Sequence, residues 1–460
     1  MDTRELNNVD TVYEVNANMV AIGYDKAGQK YIGIAAGALT ETGYAGCRWA
    51  KDSANTEGEP CGSIHKILMF PQLIGLGCYL VQNNHSRRKL SADNSYKFED
   101  GSAAALDGSM GHYQWGTGRQ MYYSQWEDAK YCYEAFDIKP IPGHWNYLIP
   151  VFSRSATGNC AIDRTNSTLV SYINASTQYR GGNNDVGRDA LYTSQLGKCV
   201  SNMPTSTLSD CARKNGNMWD ANLPFVQYIT GALMRVLFHN RNIQAAFNSS
   251  LTAEGLRQGG MSPGLSQITN DWAGLDLSAG ADKGDITSVL TATMPSNGGT
   301  TNVTFPSFFG LKNWFKSHWC MYNGQCFVCN PNGSQNAFSI EKWSGQALNN
   351  TTTNDKVLVA TTPPQSGGNW MWTTKLSSNR LCGIPTAAGG SETTYYADGY
   401  YNPGVGTGLF GVIGLGHVDC GGWGGSACVA GNNAPGYYYV GGSAFLCEAD
   451  NEWSLVPFMV

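Results

Sequence analysis

Four soft ligand residues fall within one short stretch, His318-x-Cys320-x5-Cys326-x2-Cys329. Imidazole and thiolate at such spacing are the donors of a tetrahedral zinc knuckle. The plainer reading keeps His318 and Cys320 in an aromatic strand, SHWCMY, with Cys326 and Cys329 as ordinary buried thiols, and no cofactor is expected. Carboxylates that could share general acid and base work occur as Glu127, Asp128 and Glu134, and again as Glu448, Asp450 and Glu452. Such chemistry depends on their separation, and solvated loop carboxylates are the simpler expectation. No Gly-x-Ser-x-Gly nucleophile elbow is expected, and the seven histidines do not cluster with nucleophiles in a recognisable motif. Glycines near Gly421 lack the Lys-Ser/Thr ending of a phosphate loop, and GLFGVIGLGH is not followed by a helix pattern. The expectation is a binding protein rather than an enzyme.

The C-terminal aromatics point the same way. Tyr395, Tyr396, Tyr400, Tyr401, Trp423, Tyr437, Tyr438, Tyr439, Phe445 and Trp453 sit among Gly, Ser and Asn. That mixture gives large rigid contact area with adaptable hydrogen bonding. Neighbours on a strand face opposite ways, so Tyr437 to Tyr439 are expected to be partly structural. The segment from about 395 to 453 is the expected ligand display.

Composition supports a solvated interaction surface. Charged residues are 14% of the chain, against about 25% in an average soluble protein, and the 56 glycines nearly double the usual share of about 7%. With a net charge of −5 and scattered Lys and Arg, a nucleic-acid groove is not expected. No run of eighteen apolar residues occurs and MDTRELNNVD is unlike a secretory leader, so neither membrane insertion nor the usual export is expected. Fourteen cysteines spread from Cys47 to Cys447 read as buried thiols. Exported-looking composition without an export signal fits the exterior of a virion.

Elements must position these residues. Val12 to Ala36 alternates apolar and polar residues around a turn at Asp25 to Gly28, which predicts a hairpin. A boundary near residue 60 would separate a β-rich N-terminal region, 1–60, from the main domain, 61–460. In IHKILMFPQLIGLGCYL, from Ile64, Pro71, Gly75 and Gly77 argue for two buried strands. The segments GRQMYYSQW, AKYCYEAF and HWNYLIPVF read as strands. A helix is expected over Asp185 to Val200, and the main helix begins at Pro224, with Asp220 or Asn222 as its cap and Leu223, Val226, Ile229, Leu233, Val236 and Leu237 on its apolar face. Residues 248–302 and 330–364 read as loops. The ending SLVPFMV is expected as a core strand that clamps the loop before it.

The order DGSAAALDGSMGHYQW, GRDALYTSQLG, MWDANLPFVQYITGALMRVLFHNRNIQAAF and a Gly/Trp-punctuated C-terminus resembles C-type-lectin-fold phage tail and receptor-binding proteins, the group that includes the variable proteins of diversity-generating retroelements. The likeness spans roughly residues 64–460. It implies an α+β, C-type-lectin-like domain of the formylglycine-generating-enzyme type, with a small twisted sheet, two helices and long loops. It further implies a homotrimer on a bacteriophage virion, attached to other virion proteins through its N-terminal region and binding a host cell-surface protein or glycan. The matching ligand positions are Trp423, Asn432, Asn433, Tyr437, Tyr439, Phe445, Leu446, Glu448, Asp450, Asn451 and Trp453. The calcium motifs of animal lectins are absent, and the active-site cysteines of the related enzymes are not found. A decoration protein of capsid or tail, and an enzyme of the formylglycine-generating or glycan-hydrolase kind, are the rival readings.

Overall fold

The structure is a computed structural model that describes residues 11–12, 23–25, 30–32, 43–174, 200, 203–245, 287–296, 299–315, 318–365, 369–404, 408–416, 424–437, 442–450 and 453–460. The three expected aromatic strands form and pair with one another. They centre a six-stranded antiparallel sheet ordered Phe458–Met459, Trp145–Ile149, Met121–Glu127, Tyr131–Asp137, Ala45–Ala50, Glu59–Gly62. Strand alternation turns Tyr123, Phe136 and Tyr147 into the core and leaves Tyr122 and Tyr133 half-exposed. A second antiparallel sheet runs Trp219–Ala221, Leu446–Ala449, Phe152–Ser155, His112–Gly116, Gly77–Val81, Arg87–Lys89.

The third sheet has nine strands. Its order is Val357–Thr361, Gln335–Ser339, Trp319–Cys329, Leu409–Gly414, Val429–Ala430, Gly399–Tyr401, Trp370–Ser377, Ile384–Ala388, with Gly442–Ser443 parallel to Trp319 and Cys320. The two end strands touch, so this sheet curls towards a barrel. Among the described residues the fold is mostly β, with three large sheets and few helices.

Among the described residues three α-helices occur: α1 (Ile64–Leu73), α2 (Thr205–Arg213) and α3 (Pro224–Phe238). α3 is the expected main helix. All of its residues from Pro224 to Leu237 are buried, as befits a helix enclosed on every side by sheets. Pro224 occupies its first turn, where a missing N–H costs nothing. The expected side-chain cap is not made: Leu223 is the N-cap. Asn222 instead bridges strands, its amide donating to the carbonyls of Met321 (3.1 Å) and Ser443 (3.3 Å). Asp220 is likewise engaged elsewhere.

Five further expectations fail or fall outside the described residues. Ile64–Leu73 is a helix, not a strand: the Ser63 hydroxyl accepts from the Lys66 amide at 3.2 Å, and Pro71 lies in the last turn, where it forfeits one bond, to the Ile67 carbonyl, just before the helix ends. The boundary at residue 60 falls inside the first sheet, because Ala45–Ala50 pairs with both Tyr131–Asp137 and Glu59–Gly62 and buries Cys47 and Trp49. Residues 288–308 form a long hairpin with strands Ser288–Ser296 and Gly299–Phe308, and the 330–364 stretch contributes two strands to the nine-stranded sheet. Only Leu455 of the chain's last segment is buried; Phe458–Met459 is an exposed sheet edge. The body of the helix expected from Asp185 lies outside the described residues. In the expected N-terminal hairpin Gly23–Asp25 runs antiparallel to Lys30–Ile32, and the turn residues 26–29 lie outside the described residues. Among the described residues no helix is long and apolar enough to cross a membrane.

Candidate functional site

Strand Leu446–Ala449 lies between Trp219–Ala221 and Phe152–Ser155, and this placement decides the fate of several expected contact residues. Phe445 and Leu446 are fully buried. The Phe445 ring lies 3.9 Å from the Arg154 guanidinium carbon, and Arg154 donates to Gln227 Oε1 at 2.7 Å. Phe445 is therefore a stacking partner for an internal cation, not a ligand contact. Glu448 is also fully buried, accepting from Ser153 Oγ (3.1 Å) and Arg87, with His85 Nδ1 at 3.3 Å. Trp453 packs against Phe225, ring centroids 3.5 Å apart, and donates Nε1–H to the Leu148 carbonyl at 2.7 Å. These four side chains face the core. Trp423, Tyr439 and Asn451 lie outside the described residues. Asp450 is exposed, and partial burial followed by the nearby Glu448 charge raises its carboxyl.

Asn432, Asn433 and Tyr437 lie on or near the surface. Asn432 is exposed, Asn433 half-buried and Tyr437 46% exposed. The Gly411 N–H donates to the Asn433 carbonyl (2.8 Å), and the Tyr437 N–H to that of Ala434 (3.0 Å), so a tight turn is tied to the nine-stranded sheet. Asn433 and Tyr437 meet Trp319, Met321 and Ile413 in a notch closed by Met203 and Leu208 near α2. Its volume of about 30 Å³ admits little more than a water or the tip of a side chain. Beside it the Trp319 and Trp370 rings stack at 6.0 Å, and Trp370 lies 5.2 Å from Tyr401. Trp370 is 37% exposed. The strip Trp319, Trp370 and Tyr401 with Tyr437 and two asparagine amides can stack on a flat apolar group while bonding its polar rim.

Gly431 sets the base of this turn. Its N–H donates to the Tyr401 carbonyl (3.0 Å) and its own carbonyl accepts from Gln335 Nε2 (2.7 Å). A Cβ there would stand 2.4 Å from Phe327 Cδ2 and 2.6 Å from Gln335 Oε1. Phe327 is fully buried and cannot swing away. Gly431→Ala is expected to destabilise the protein by about 1–3 kcal/mol. A thermal melt checks this, and an unchanged midpoint would contradict the packing described.

The four donors of the possible zinc knuckle each have other neighbours. His318 Nδ1 lies 3.3 Å from Asn159 Nδ2, Cys326 Sγ is 3.8 Å from the Thr352 carbonyl, and Cys329 Sγ accepts from Gln335 Nε2 at 3.5 Å. Cys320 Sγ lies 3.9 Å from the His318 carbonyl. The pairing of Trp319–Cys329 with Leu409–Gly414 shifts register between Met321 and Cys326. Among the described residues no group of three or more His, Cys, Asp or Glu could hold a metal ion. Cys47, Cys61, Cys132, Cys211, Cys326, Cys329, Cys382 and Cys447 are free thiols, and burial pushes Cys326 up to about 11.

Three of the candidate carboxylates hold ion pairs, and Glu452 lies outside the described residues. Glu127 bonds Lys375 (2.8 Å) and Lys51 (3.0 Å), Glu134 bonds Arg235, and Glu448 is engaged as above. Trp319 and Met321 were missed as site residues because SHWCMY reads as a strand, and Trp370 because it precedes the expected display segment, about 395–453. A serine flanked by glycines, Gly260-x-Ser262-x-Gly264, escaped the motif reading and lies outside the described residues. No known family's sequence profile matches this chain, and a search of curated proteins finds no significant relative.

Proposed function

We propose that this chain is a receptor-binding protein of a bacteriophage virion that grips a host surface protein or glycan with the face around Asn432, Asn433 and Tyr437. The observation that carries the reading is the aromatic pair Trp370–Tyr401 on the sheet, with Tyr437 exposed on a turn that shares a notch with Trp319. Rigid aromatics lose little entropy on binding, so they suit a contact surface. The sequence resemblance to phage receptor-binding proteins supports the same reading and a C-type-lectin-related scaffold. Phe445, Leu446, Glu448 and Trp453 belong to the scaffold, and binding rather than catalysis is the proposed activity.

Virions carrying Trp370→Ala with Tyr437→Ala should adsorb to host cells about tenfold more slowly or worse, with the protein incorporated normally. Unchanged adsorption would refute the proposal and favour a decoration role.

A further inference from the structure

A second concavity lies where the first sheet meets the far end of the nine-stranded one. Its volume is about 450 Å³, within the range of small-ligand sites and some fifteen times that of the notch beside Tyr437. The register that pairs Tyr147 with Tyr123 and Asn146 with Ser124 sets Trp145 opposite Gln125 on one sheet face. That face is the inner one, because Tyr123 and Tyr147 on it are buried. Where it runs out beyond the core, Trp145 is left 56% exposed along one wall. An indole this open on an otherwise buried face is the unusual feature.

The opposite wall is polar and comes from the segment Lys375 to Asn379. Lys375 reaches across to Glu127 at 2.8 Å and Lys51 bonds the same carboxylate at 3.0 Å, so two ammonium groups share one acid. These partners hold Glu127 down at about 2, which keeps it ionised at any physiological pH. Ser377 and Asn379 have their side chains partly engaged with the Val359 carbonyl. Among the described residues the Gln125 amide and the Ser378 hydroxyl make no hydrogen bond within the protein, although both line the cleft. An open indole, an unspent amide and hydroxyl, and a compensated charge pair around one space make a site of mixed character. Its apolar surface is a flat ring and its polar groups stand at the edges.

We propose that this cleft binds a saccharide, with one pyranose ring stacked on Trp145 and its hydroxyls bonded to Gln125, Ser378 and the Glu127–Lys375 pair. A pyranose offers axial C–H groups to an indole face and equatorial hydroxyls to side-chain amides, carboxylates and ammonium groups, which is the chemistry the walls present. The site is independent of the receptor face. Trp370 begins the strand Trp370–Ser377 and Lys375 stands five residues along it, and the two concavities share no lining residue.

The test is binding of chitotriose, maltotriose and tri-galacturonate to the full chain, read by saturation-transfer NMR and calorimetry at millimolar sugar. At least one should bind the wild-type protein. Trp145→Ala should weaken it about tenfold or abolish it, and Gln125→Ala about threefold. Melting curves establish that both variants fold, which the exposure of Trp145 favours. Trp370→Ala with Tyr437→Ala should leave this binding unchanged. The proposal is overturned if none of the three sugars binds, if folded Trp145→Ala binds as the wild type does, or if only the Trp370/Tyr437 variant loses affinity. In that last case the sugar belongs to the receptor face, and the proposed function stands while the cleft does not.

Discussion

Replacing Glu134 by glutamine is expected to lower the unfolding free energy by about 3–5 kcal/mol, the usual cost of stranding one member of a buried ion pair. Arg235, on α3, places Nε 3.1 and 3.0 Å from the two Glu134 oxygens, and both side chains are almost wholly buried. Arg235 Nη2 already lacks a hydrogen-bond partner, so the guanidinium has no second anion to turn to. The pair joins the central helix to the first sheet, and its loss weakens that contact directly. Changing both residues, Glu134→Leu with Arg235→Met, should recover most of the loss, since apolar groups of similar volume need no desolvation of charge. Denaturant titration distinguishes these outcomes. A Glu134→Gln variant within about 1 kcal/mol of wild type would show the pair to be energetically idle.

Asp220 behaves in the opposite sense. Its Oδ1 accepts from Ser209 Oγ (2.8 Å), Asn323 Nδ2 (2.9 Å) and the Ala221 N–H (2.7 Å), while Oδ2 has no partner. Burial is the dominant influence and lifts the carboxyl from 3.8 to about 6, against the lowering effect of those three bonds. A raised folded value means that the folded protein holds more protons than the unfolded chain between these limits. The associated stability is fully present below about 3.8 and is lost as pH rises through 6. At neutral pH the ionised Asp220 therefore costs up to about 3 kcal/mol. Asp220→Asn keeps the acceptor that makes all three bonds and removes the charge. Its melting temperature should exceed that of wild type at pH 7.5, and the gap should close near pH 4. A variant less stable than wild type at pH 7.5 would sink this account.

Periodicity made α3 readable, because Leu223, Val226, Ile229, Leu233, Val236 and Leu237 repeat at helical steps whatever surrounds them. Density of β-favouring aromatics did the same for Met121–Glu127, Tyr131–Asp137 and Trp145–Ile149. Pro71 misled the reading of α1, since a proline in a final turn looks in sequence like one in the middle. The candidate site was less legible for a different reason. Aromatic and glycine content cannot tell which side of a strand is covered, and Phe445 and Trp453 differ from Tyr437 only in having a helix or a neighbouring strand over them. That depends on pairings with residues hundreds of positions away. Asn432, Asn433 and Tyr437 were named by the resemblance, and local composition alone does not separate them from Phe445 and Trp453.

The insertion of Leu446–Ala449 between Trp219–Ala221 and Phe152–Ser155 has a consequence for how the protein is made. A ribosome delivers the outer two strands long before the one that belongs between them. Until residue 446 emerges, both carry unpaired backbone groups that any passing strand could satisfy. The second sheet closes late, over a loop of more than two hundred residues, and such closure is slow. Synthesis of this chain therefore includes a window in which half-built sheet edges are open to aggregation, and chaperone demand should peak there rather than at the start.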